Sequence, residues 1–358
     1  TADDLRQMSQ LVTEAVQAGA LGFSTSRTIG HRALDGSPVP GTFAPDQELS
    51  AIADAMGRAG RGVFEMIPAG TVGKLERLGG ERTTPEAEVK LMADFSRQSG
   101  RKVTFTLVQS PDYAPDTWER LLEMVVTANQ TGAQLYPQVS SRPIGLASGL
   151  SGYHAFQRRP TYMKLAHLPL AERAREMAKP EIKAAIMSET DVLVDQPGSM
   201  ANMYQLFQTA AMFLYPLADP VDYEPDPSEM LGSRAAATGQ DVLDLLYDYL
   251  LEQDGAAMCA LMGGPNVHDS QEVLRQMLIH PETVTGLSDA GAHVTLICDA
   301  TMPTTQLTFW ARDRHKGERL PLEFLVAKQT ARNADLYGLK DRGRLAVGLR
   351  ADINVIDF

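Results

Sequence analysis

Apolar and polar positions follow two alternating patterns over the first 140 residues. Apolar side chains at helical spacing predict four helices, at residues 1–18, 46–60, 84–100 and 114–132. Short, mostly apolar runs between them predict four strands, at residues 20–25, 62–67, 102–108 and 133–139. No hairpin signal joins any two of these strands, so the pattern predicts parallel strands connected by helical crossovers, with both faces of the sheet covered.

Capping residues mark where several of these helices begin and end. Thr1 with Asp4 resembles a capping box, and Thr84 followed by Pro85 is typical of a helix start. Gly100 closes the helix that Pro85 opens. These signals support the helix boundaries independently of the apolar spacing.

The pattern loosens after residue 140. Residues 141–282 are richer in proline, methionine and aromatic residues; they are predicted to hold helices at 239–255 and 269–280 and a strand at 256–264. We interpret this stretch as a long insertion between two strands, because a structureless loop of that length is improbable. A further apolar run, residues 283–287, predicts the next buried strand.

The C-terminal part predicts two short helices within residues 320–339 and two short β segments within residues 341–358. The predicted organisation is therefore a catalytic domain, residues 1–340, and a C-terminal β segment, residues 341–358.

Composition limits the kind of partner. The formal net charge is −12 over 358 residues, which argues against nucleic acid and against an anionic membrane surface. Two cysteines, Cys259 and Cys298, form no disulfide framework, so a reducing, cytoplasmic compartment is expected. No apolar run reaches the ~18 residues that a membrane span needs. We expect a small-molecule substrate and allow for a homo-oligomer.

The stretch HPETVTGLSDAGAHV, residues 280–294, carries the strongest chemical signal. Asp289 comes directly after a predicted parallel strand, at the edge where barrels and open α/β sheets bind ligands. A carboxylate there can hold a divalent metal or move a proton; it can equally cap a following turn or helix. His293 is a second candidate, although a lone histidine is more often structural.

Polar residues also follow or end the other predicted strands. Ser26 follows the first, Glu65 lies in the second, Gln109 follows the third, and Tyr136 and Gln138 lie in the fourth. Arg142 comes just after; an arginine at this edge suits a substrate carboxylate through two parallel hydrogen bonds.

Several common site types are excluded by their motifs. The chain has no HExxH, no GxSxG elbow, no GxGxxG after a strand and no GxxxxGK[ST]. No two of its seven histidines have the spacing of a preformed metal pair, so the sequence contains no complete zinc site of a standard type.

The chain resembles the D-aminoacylase/N-acyl-D-amino-acid deacylase branch of the amidohydrolase superfamily. The resemblance rests on residues 14–28 (EAVQAGALGFSTSRT), 39–67, 280–294 and 336–358 (LYGLKDRGRLAVGLRADINVIDF). It implies an α/β fold, a (β/α)8 TIM-type barrel of the metal-dependent hydrolase kind with a small β-sandwich. It also implies zinc-dependent hydrolysis of a C–N amide bond, as in an N-acyl (D-)amino acid.

The resemblance assigns roles to two residues. Asp289 matches the aspartate that ligates metal, takes a proton from the water nucleophile and passes it to the leaving amine. Tyr136 matches the tyrosine of a Tyr-Pro pair that begins a substrate-contacting segment.

This chain departs from the family in two places. It has no H-x-H pair and resembles the family only from about the fourth barrel strand, so we expect a barrel incomplete at its N-terminus and a sandwich remnant at its C-terminus. Glu65 and Gln109 stand where the better-known deacylases have histidines; Glu65 becomes a metal candidate, and one zinc ion is expected rather than two. Alternatives are a catalytically inactive relative acting as a binding or scaffold protein, and another amidohydrolase chemistry such as a cyclic amidase or a deaminase.

Overall fold

The computed structural model describes residues 1–196, 198–263, 270–288, 296–297 and 299–358. Its first part alternates helices and strands as predicted. The helices are α1 (Ala2–Ala18), α2 (Asp46–Ala59), α3 (Pro85–Ser99) and α4 (Thr117–Gln130). The strands are β1 (Gly22–Ser26), β2 (Val63–Ile67), β3 (Lys102–Thr106) and β4 (Leu135–Val139).

The predicted caps are present at these helix ends. Thr1 and Asp4 form a capping box at the start of α1, in which each side chain meets the other's backbone. The Thr84 hydroxyl accepts a hydrogen bond from the backbone N–H of Ala87 at the start of α3. Gly100, in a left-handed conformation, ends α3.

All strands of the main sheet are parallel. Later in the chain come the strands β5 (Ile144–Gly149), β6 (Tyr215–Pro216), β7 (Met258–Gly263) and β8 (Val284–Thr285). The main sheet has the order β1-β2-β3-β4-β8, so the run predicted at residues 283–287 does join β4 as a parallel strand. Among the described residues, β1 and β8 each have one strand neighbour, and the sheet does not close into a barrel.

The register separates two faces of this sheet. Phe64, Val103 and Leu135 lie side by side and are buried against the helices. Successive residues of a strand point to opposite sides, so the alternate residues form the opposite face. Several side chains on that face are polar.

A glycine allows the first two strands to approach closely. A Cβ added at Gly22 would lie 1.8 Å from the carbonyl oxygen of Val63, closer than any real contact. The glycine that begins β1 is therefore required by the pairing with β2.

The region after β4 has its own sheet and core. Strand β5 pairs antiparallel with β7 along its full length, and β6 pairs with the other side of β7, which confirms the strand predicted at residues 256–264. Six helices surround this sheet: α5 (Pro160–Leu165), α6 (Leu170–Met177), α7 (Pro180–Ser188), α8 (Tyr204–Thr209), α9 (Leu231–Thr238) and α10 (Val242–Leu251). Buried side chains of these helices, such as Phe207 and Tyr247, form a second core together with Phe156, which lies between β5 and α5. We call residues 144–263 the antiparallel region.

Helix α11 (Glu272–Ile279) packs differently, although it lies in the stretch interpreted as an insertion. Its buried residues Leu274, Met277 and Leu278 belong to the core of the main sheet. The main sheet, its helices and α11, together with residues up to 339, form the parallel region.

The C-terminal residues form helices but no strand. Helices α12 (Met302–Thr308), α13 (Leu322–Ala327) and α14 (Asn333–Tyr337) are interrupted by π-helical turns at Phe309–Asp313 and Lys328–Arg332. The two short β segments predicted within residues 341–358 are wrong for this structure, since no strand is assigned there. A strand needs a hydrogen-bonded neighbour, and the apolar side chains Leu345, Val347 and Val355 instead lie exposed. No described helix has the length and apolar character required to cross a lipid bilayer.

Candidate functional site

The carboxyl ends of the parallel strands bring several of the predicted site residues to one face and one edge. Glu65, Thr104 and Tyr136 are register partners on the face turned away from the helices. Two residues further along their strands, Ser26 and Gln138 lie one level nearer the carboxyl edge. The structure therefore places Ser26, Glu65, Tyr136 and Gln138 on the same face of the sheet.

Ser26 is linked to a histidine that the sequence did not single out. Its Oγ lies 2.9 Å from Nδ1 of His31 in the loop after β1. That loop is tied down at its start, because the hydroxyl of Thr28 and the backbone N–H of Ile29 donate to the carboxylate of Glu81. The imidazole is thereby held near the carboxyl edge of β1.

Arg27, next to Ser26, makes a separate ion pair. Its Nε donates to both carboxylate oxygens of Glu88, at 3.1 and 3.0 Å. Burial raises the pKa of Glu88 above its usual value, and the charge and hydrogen bonds of Arg27 oppose that rise. The pair joins the end of β1 to α3.

Glu65, the metal candidate of β2, is half-buried. Its charge contributes to the raised pKa of Tyr337, whose main cause is burial of the phenol. The carboxylate thus lies near the C-terminal helix α14, in electrostatic range of its tyrosine.

Tyr136 lies lower on the same face, between two cations. The Lys102 ammonium is 5.6 Å and the Arg332 guanidinium 5.2 Å from the ring centroid. The ring packs with Val284 and Leu336, so α14 covers this part of the sheet. Its contact with a substrate remains a prediction.

Gln138 faces the backbone that follows β8. A Cβ added at Gly286 would lie 2.3 Å from the Gln138 amide oxygen. The N–H of Gly286 donates to the carbonyl oxygen of Val139 at 3.1 Å and extends the pairing of β8 with β4. Glycine at this position therefore brings the chain that leads to Asp289 close to the amide of Gln138.

Asp289 and His293 lie outside the described residues, so the structure leaves their predicted roles untested. The chain enters this segment through Leu287, at φ 66°, and Ser288, whose Oγ donates to the backbone carbonyls of Asp299 and Ala300 at 3.3 Å each. The segment leaves from the end of a strand that pairs with β4.

Arg142 is buried in an ion pair. Its Nη1 donates to Oδ1 of Asp299 at 2.7 Å and to the carbonyl of Pro143 at 2.9 Å, and its Nη2 donates to Thr301 Oγ1 at 3.1 Å. The Tyr223 ring lies 5.0 Å from the guanidinium carbon. The guanidinium thus has a protein carboxylate as a partner, where the sequence analysis expected a substrate carboxylate.

The described residues do not assemble a metal site by themselves. They contain no group of three or more His, Cys, Asp or Glu side chains that could hold an ion. Gln109, which stands near an expected ligand position, uses its amide to fix the loop before α4: it donates to the carbonyls of Ser110 and Ala114 and accepts from the Trp118 N–H.

The sequence analysis did not predict the carboxylate partners of Arg142 and Arg27. Asp299 lies 157 positions from Arg142, and Glu88 lies 61 positions from Arg27. Neither carboxylate has a local signal, because its partner is chosen by the packing of distant strands and helices.

Comparison with known proteins identifies relatives. The model of the amidohydrolase family Amidohydro_3 matches residues 1–358. In sequence, the chain is 33% identical over 145 residues to an imidazolonepropionase from Paracoccus denitrificans, covering 39% of this chain and 36% of the relative. It is 57% identical over 42 residues to an N-acyl-D-glutamate deacylase from Alcaligenes xylosoxydans xylosoxydans, covering 12% of this chain and 9% of the relative.

Two solved structures resemble the chain along nearly its whole length. A D-aminoacylase mutant in complex with CuCl2 has a TM-score of 0.50 at 14% identity and covers 98% of this chain and 56% of that one. An N-acyl-D-glutamate deacylase from Bordetella bronchiseptica, complexed with zinc and a phosphonate inhibitor, has a TM-score of 0.49 at 17% identity with the same coverage. The chain thus spans about half the length of these structures and about a third of the imidazolonepropionase.

Proposed function

Because the chain belongs to the amidohydrolase family, we propose that it hydrolyses a non-peptide C–N amide bond at the carboxyl edge of its parallel sheet. The family match over residues 1–358 is the observation that carries this proposal. The substrate class we propose is an N-acyl amino acid, with the D enantiomer favoured. That finer assignment is supported by the local identity of 57% with an N-acyl-D-glutamate deacylase.

We propose that the five parallel strands are one side of a (β/α)8 barrel. Two features support this: the strands of this sheet, β1-β2-β3-β4-β8, lie side by side in chain order, and a helix follows each of β1, β2 and β3 before the next strand. Further strands would pair with the edges of β1 and β8. The face that carries Glu65, Tyr136 and Gln138 would then line the interior.

Asp289 is proposed as the catalytic acid–base group. Its position in the sequence supports this: it comes four residues after β8, the last strand of the described sheet, and barrel enzymes bind their substrates at the ends of such strands. Its carboxylate would accept a proton from the attacking water and donate it to the leaving amine. Such proton transfer typically contributes about 10²–10⁴-fold to a rate.

The proposed metal is a single zinc ion, which would lower the pKa of bound water to about 7. The carboxylates of Asp289 and Glu65 are suitable donors by their chemistry. They do not make a complete set, since catalytic zinc has about three protein ligands and the described residues contain no such group. The roles proposed for the other side chains do not depend on the ion.

Substrate binding is proposed for the polar groups near the carboxyl edge. Ser26 and Gln138 lie on the same face at the same level and can bind the amide by donating and accepting hydrogen bonds. His293 and Tyr136 are further candidates. Arg142, which the sequence predicted to bind the substrate carboxylate, has Asp299 as its partner in the structure and is left out of this set.

Asp289→Asn tests the function directly. Wild type is expected to release amine from N-acetyl-D-amino acids, and the variant is expected to lose about 10²–10⁴-fold in kcat with an unchanged circular dichroism spectrum. Asp313→Asn, an exposed carboxylate of similar size paired with Arg312, is the matched control and should leave the rate unchanged. Retained activity in Asp289→Asn would refute the role, and no hydrolysis by wild type of any N-acyl amino acid would refute the substrate class.

A further inference from the structure

The ion pair of Arg142 and Asp299 is among the most enclosed charged contacts of the described chain. The two side chains are 4% and 2% exposed, and Nη1 lies 2.7 Å from Oδ1. A buried charge of either residue is costly without its partner, so the two are expected to act as one unit.

This pair lies where the chain enters and leaves residues 289–295. On the entry side, Ser288 Oγ donates to the backbone carbonyl of Asp299 at 3.3 Å. On the exit side, the carboxylate of Asp299 accepts a hydrogen bond from Arg142, which comes just after β4. The same carboxylate accepts from the backbone N–H of Gly145, in β5, at 3.4 Å. The Arg142–Asp299 pair therefore connects the two ends of the segment to the end of β4 and to β5.

Backbone hydrogen bonds reinforce both ends. Before the segment, the N–H of Gly286 donates to Val139 at 3.1 Å. After it, the N–H of Ala147 in β5 donates to the carbonyl of Leu296 at 2.7 Å, and Leu146 forms an antiparallel bridge with Ile297. Both ends are thus held against β4 and β5, the strands on either side of Arg142.

The contacts around Arg142 also leave little of its guanidinium for a substrate. Nη1 is shared between Asp299 and the carbonyl of Pro143, Nη2 donates to Thr301, and the Tyr223 ring lies against the group. A residue that binds a substrate carboxylate needs an open edge of the guanidinium, with two parallel donors.

We propose that Arg142 is a positioning residue: paired with Asp299, it holds residues 286–288 and 296–297, the described chain on either side of the segment that contains Asp289. This inference rests on the proposed role of Asp289 for its catalytic consequence, but the holding of the two ends is a property of the described contacts. It replaces the expectation that Arg142 binds the substrate carboxylate.

Amide hydrogen exchange tests directly whether the Arg142–Asp299 pair holds the chain on both sides of the segment. In Arg142→Gln and Asp299→Asn, the N–H groups of Gly286 and Ala147 are expected to exchange at least about tenfold faster than in wild type, because their acceptors are no longer held. Arg27→Gln is the matched control: it breaks another arginine–carboxylate pair, with Glu88, at the end of β1. It should leave exchange at Gly286 and Ala147 unchanged.

Kinetics separate positioning from substrate binding. Arg142→Gln is expected to lower kcat by about 10²-fold with KM within threefold of wild type, since a misplaced catalytic group costs rate rather than affinity. Arg142→Gln combined with Asp299→Asn should be no slower than either change alone. Arg142→Lys, which keeps the charge, should recover part of the rate, and it replaces Arg142→Gln if that variant is unfolded by circular dichroism.

The outcomes distinguish this inference from the proposed function. Unchanged exchange at Gly286 and Ala147, or a raised KM with normal kcat, overturns the positioning role. If wild type hydrolyses no N-acyl amino acid, the proposed function fails, and the exchange measurement still decides whether the Arg142–Asp299 pair holds the segment.

Discussion

The parallel and antiparallel regions bury polar groups in different ways. In the parallel region, the guanidinium of Arg27 has the carboxylate of Glu88 as its partner, near the edge where the proposed site lies. In the antiparallel region, His154 is fully buried and its Nε2 has no hydrogen-bond partner in the part of the chain that the structure describes. The buried charge near the proposed site is thus paired with its opposite, whereas the imidazole of His154 packs against the rings of Phe156 and Tyr162.

Among the described residues, one ion pair crosses between the two regions. Arg314, in the C-terminal part of the parallel region, donates through Nε and Nη2 to Oε1 of Glu224, at 3.3 and 3.2 Å, and both side chains are fully buried. The same oxygen accepts the backbone N–H of Gln271 at 2.7 Å. At this junction, one carboxylate oxygen of the antiparallel region thus accepts hydrogen bonds from two residues of the parallel region.

Breaking this junction is expected to give the largest effect. Arg314→Met leaves the Glu224 charge buried without its partner and should lower the free energy of unfolding by about 3–5 kcal/mol. Arg314→Met combined with Glu224→Gln removes the uncompensated charge and should recover most of that loss. Urea denaturation of the wild type and the two variants measures both values. If the double variant is no more stable than Arg314→Met, the pairing of charges does not dominate the junction.

How much of this could be read from the sequence depends on the distance between partners. The capping box of Thr1 and Asp4 and the start of α3 at Thr84 were predicted because each is complete within four residues. The partner of Arg314 lies 90 positions away and has no local signal. The strands predicted within residues 341–358 failed for a related reason: their alternation was visible, but a strand also needs a neighbour.

In the candidate site, too, what the sequence predicts depends on how far apart the partners lie along the chain. The sequence located Ser26, Glu65 and Gln138 near one edge, because the ends of parallel strands meet there, and the structure places them on one face. It could not show that Arg142 already has a buried carboxylate partner, since Asp299 becomes its neighbour only through the packing of β4 and β5 against the chain after β8.

The burial of His154 sharpens the comparison through pH. Burial lowers the pKa of His154 to about 3, and the charge of Arg173 adds to the effect. Between pH ~6.5 and ~3 the unfolded chain binds a proton that the folded chain does not, so stability falls as the pH falls through this window. From pH 7 to pH 4 the loss from this group is expected to be about 3 kcal/mol.

His154→Phe is the matched variant for this test. It keeps a ring next to Tyr162, which meets the imidazole edge-on at 4.4 Å between centroids, and removes the titration. Denaturant midpoints of both proteins at pH 7 and pH 4 give the measurement. Equal pH dependence in the two proteins would mean that His154 becomes protonated in the folded state.

Lys328 provides the corresponding test in the parallel region, with a somewhat smaller effect. Its ammonium donates to the carbonyl of His280 at 3.0 Å and to Thr283 Oγ1 at 2.8 Å, just before β8, and the side chain is 6% exposed. Burial, together with the nearby charge of Arg332, lowers the pKa of Lys328 to about 7. Within the described part of the chain, Lys328 is thus a buried base that donates its hydrogen bonds to neutral oxygens.

As for His154, stability is expected to rise with pH, but the pH range over which Lys328 changes it lies on the alkaline side. Between pH ~7 and ~10.5 the unfolded chain holds a proton that the folded chain has released, so stability rises with pH, by about 2 kcal/mol from pH 7 to pH 9. Lys328→Met removes this rise while keeping the apolar stem, and a series of denaturant midpoints across that range compares the two proteins. Because Lys328 lies at the start of the strand that leads to Asp289, its titration would affect β8 first. An identical pH profile in wild type and variant would show that Lys328 stays charged in the folded protein, and that the parallel region tolerates a buried cation that donates to a carbonyl and a hydroxyl oxygen.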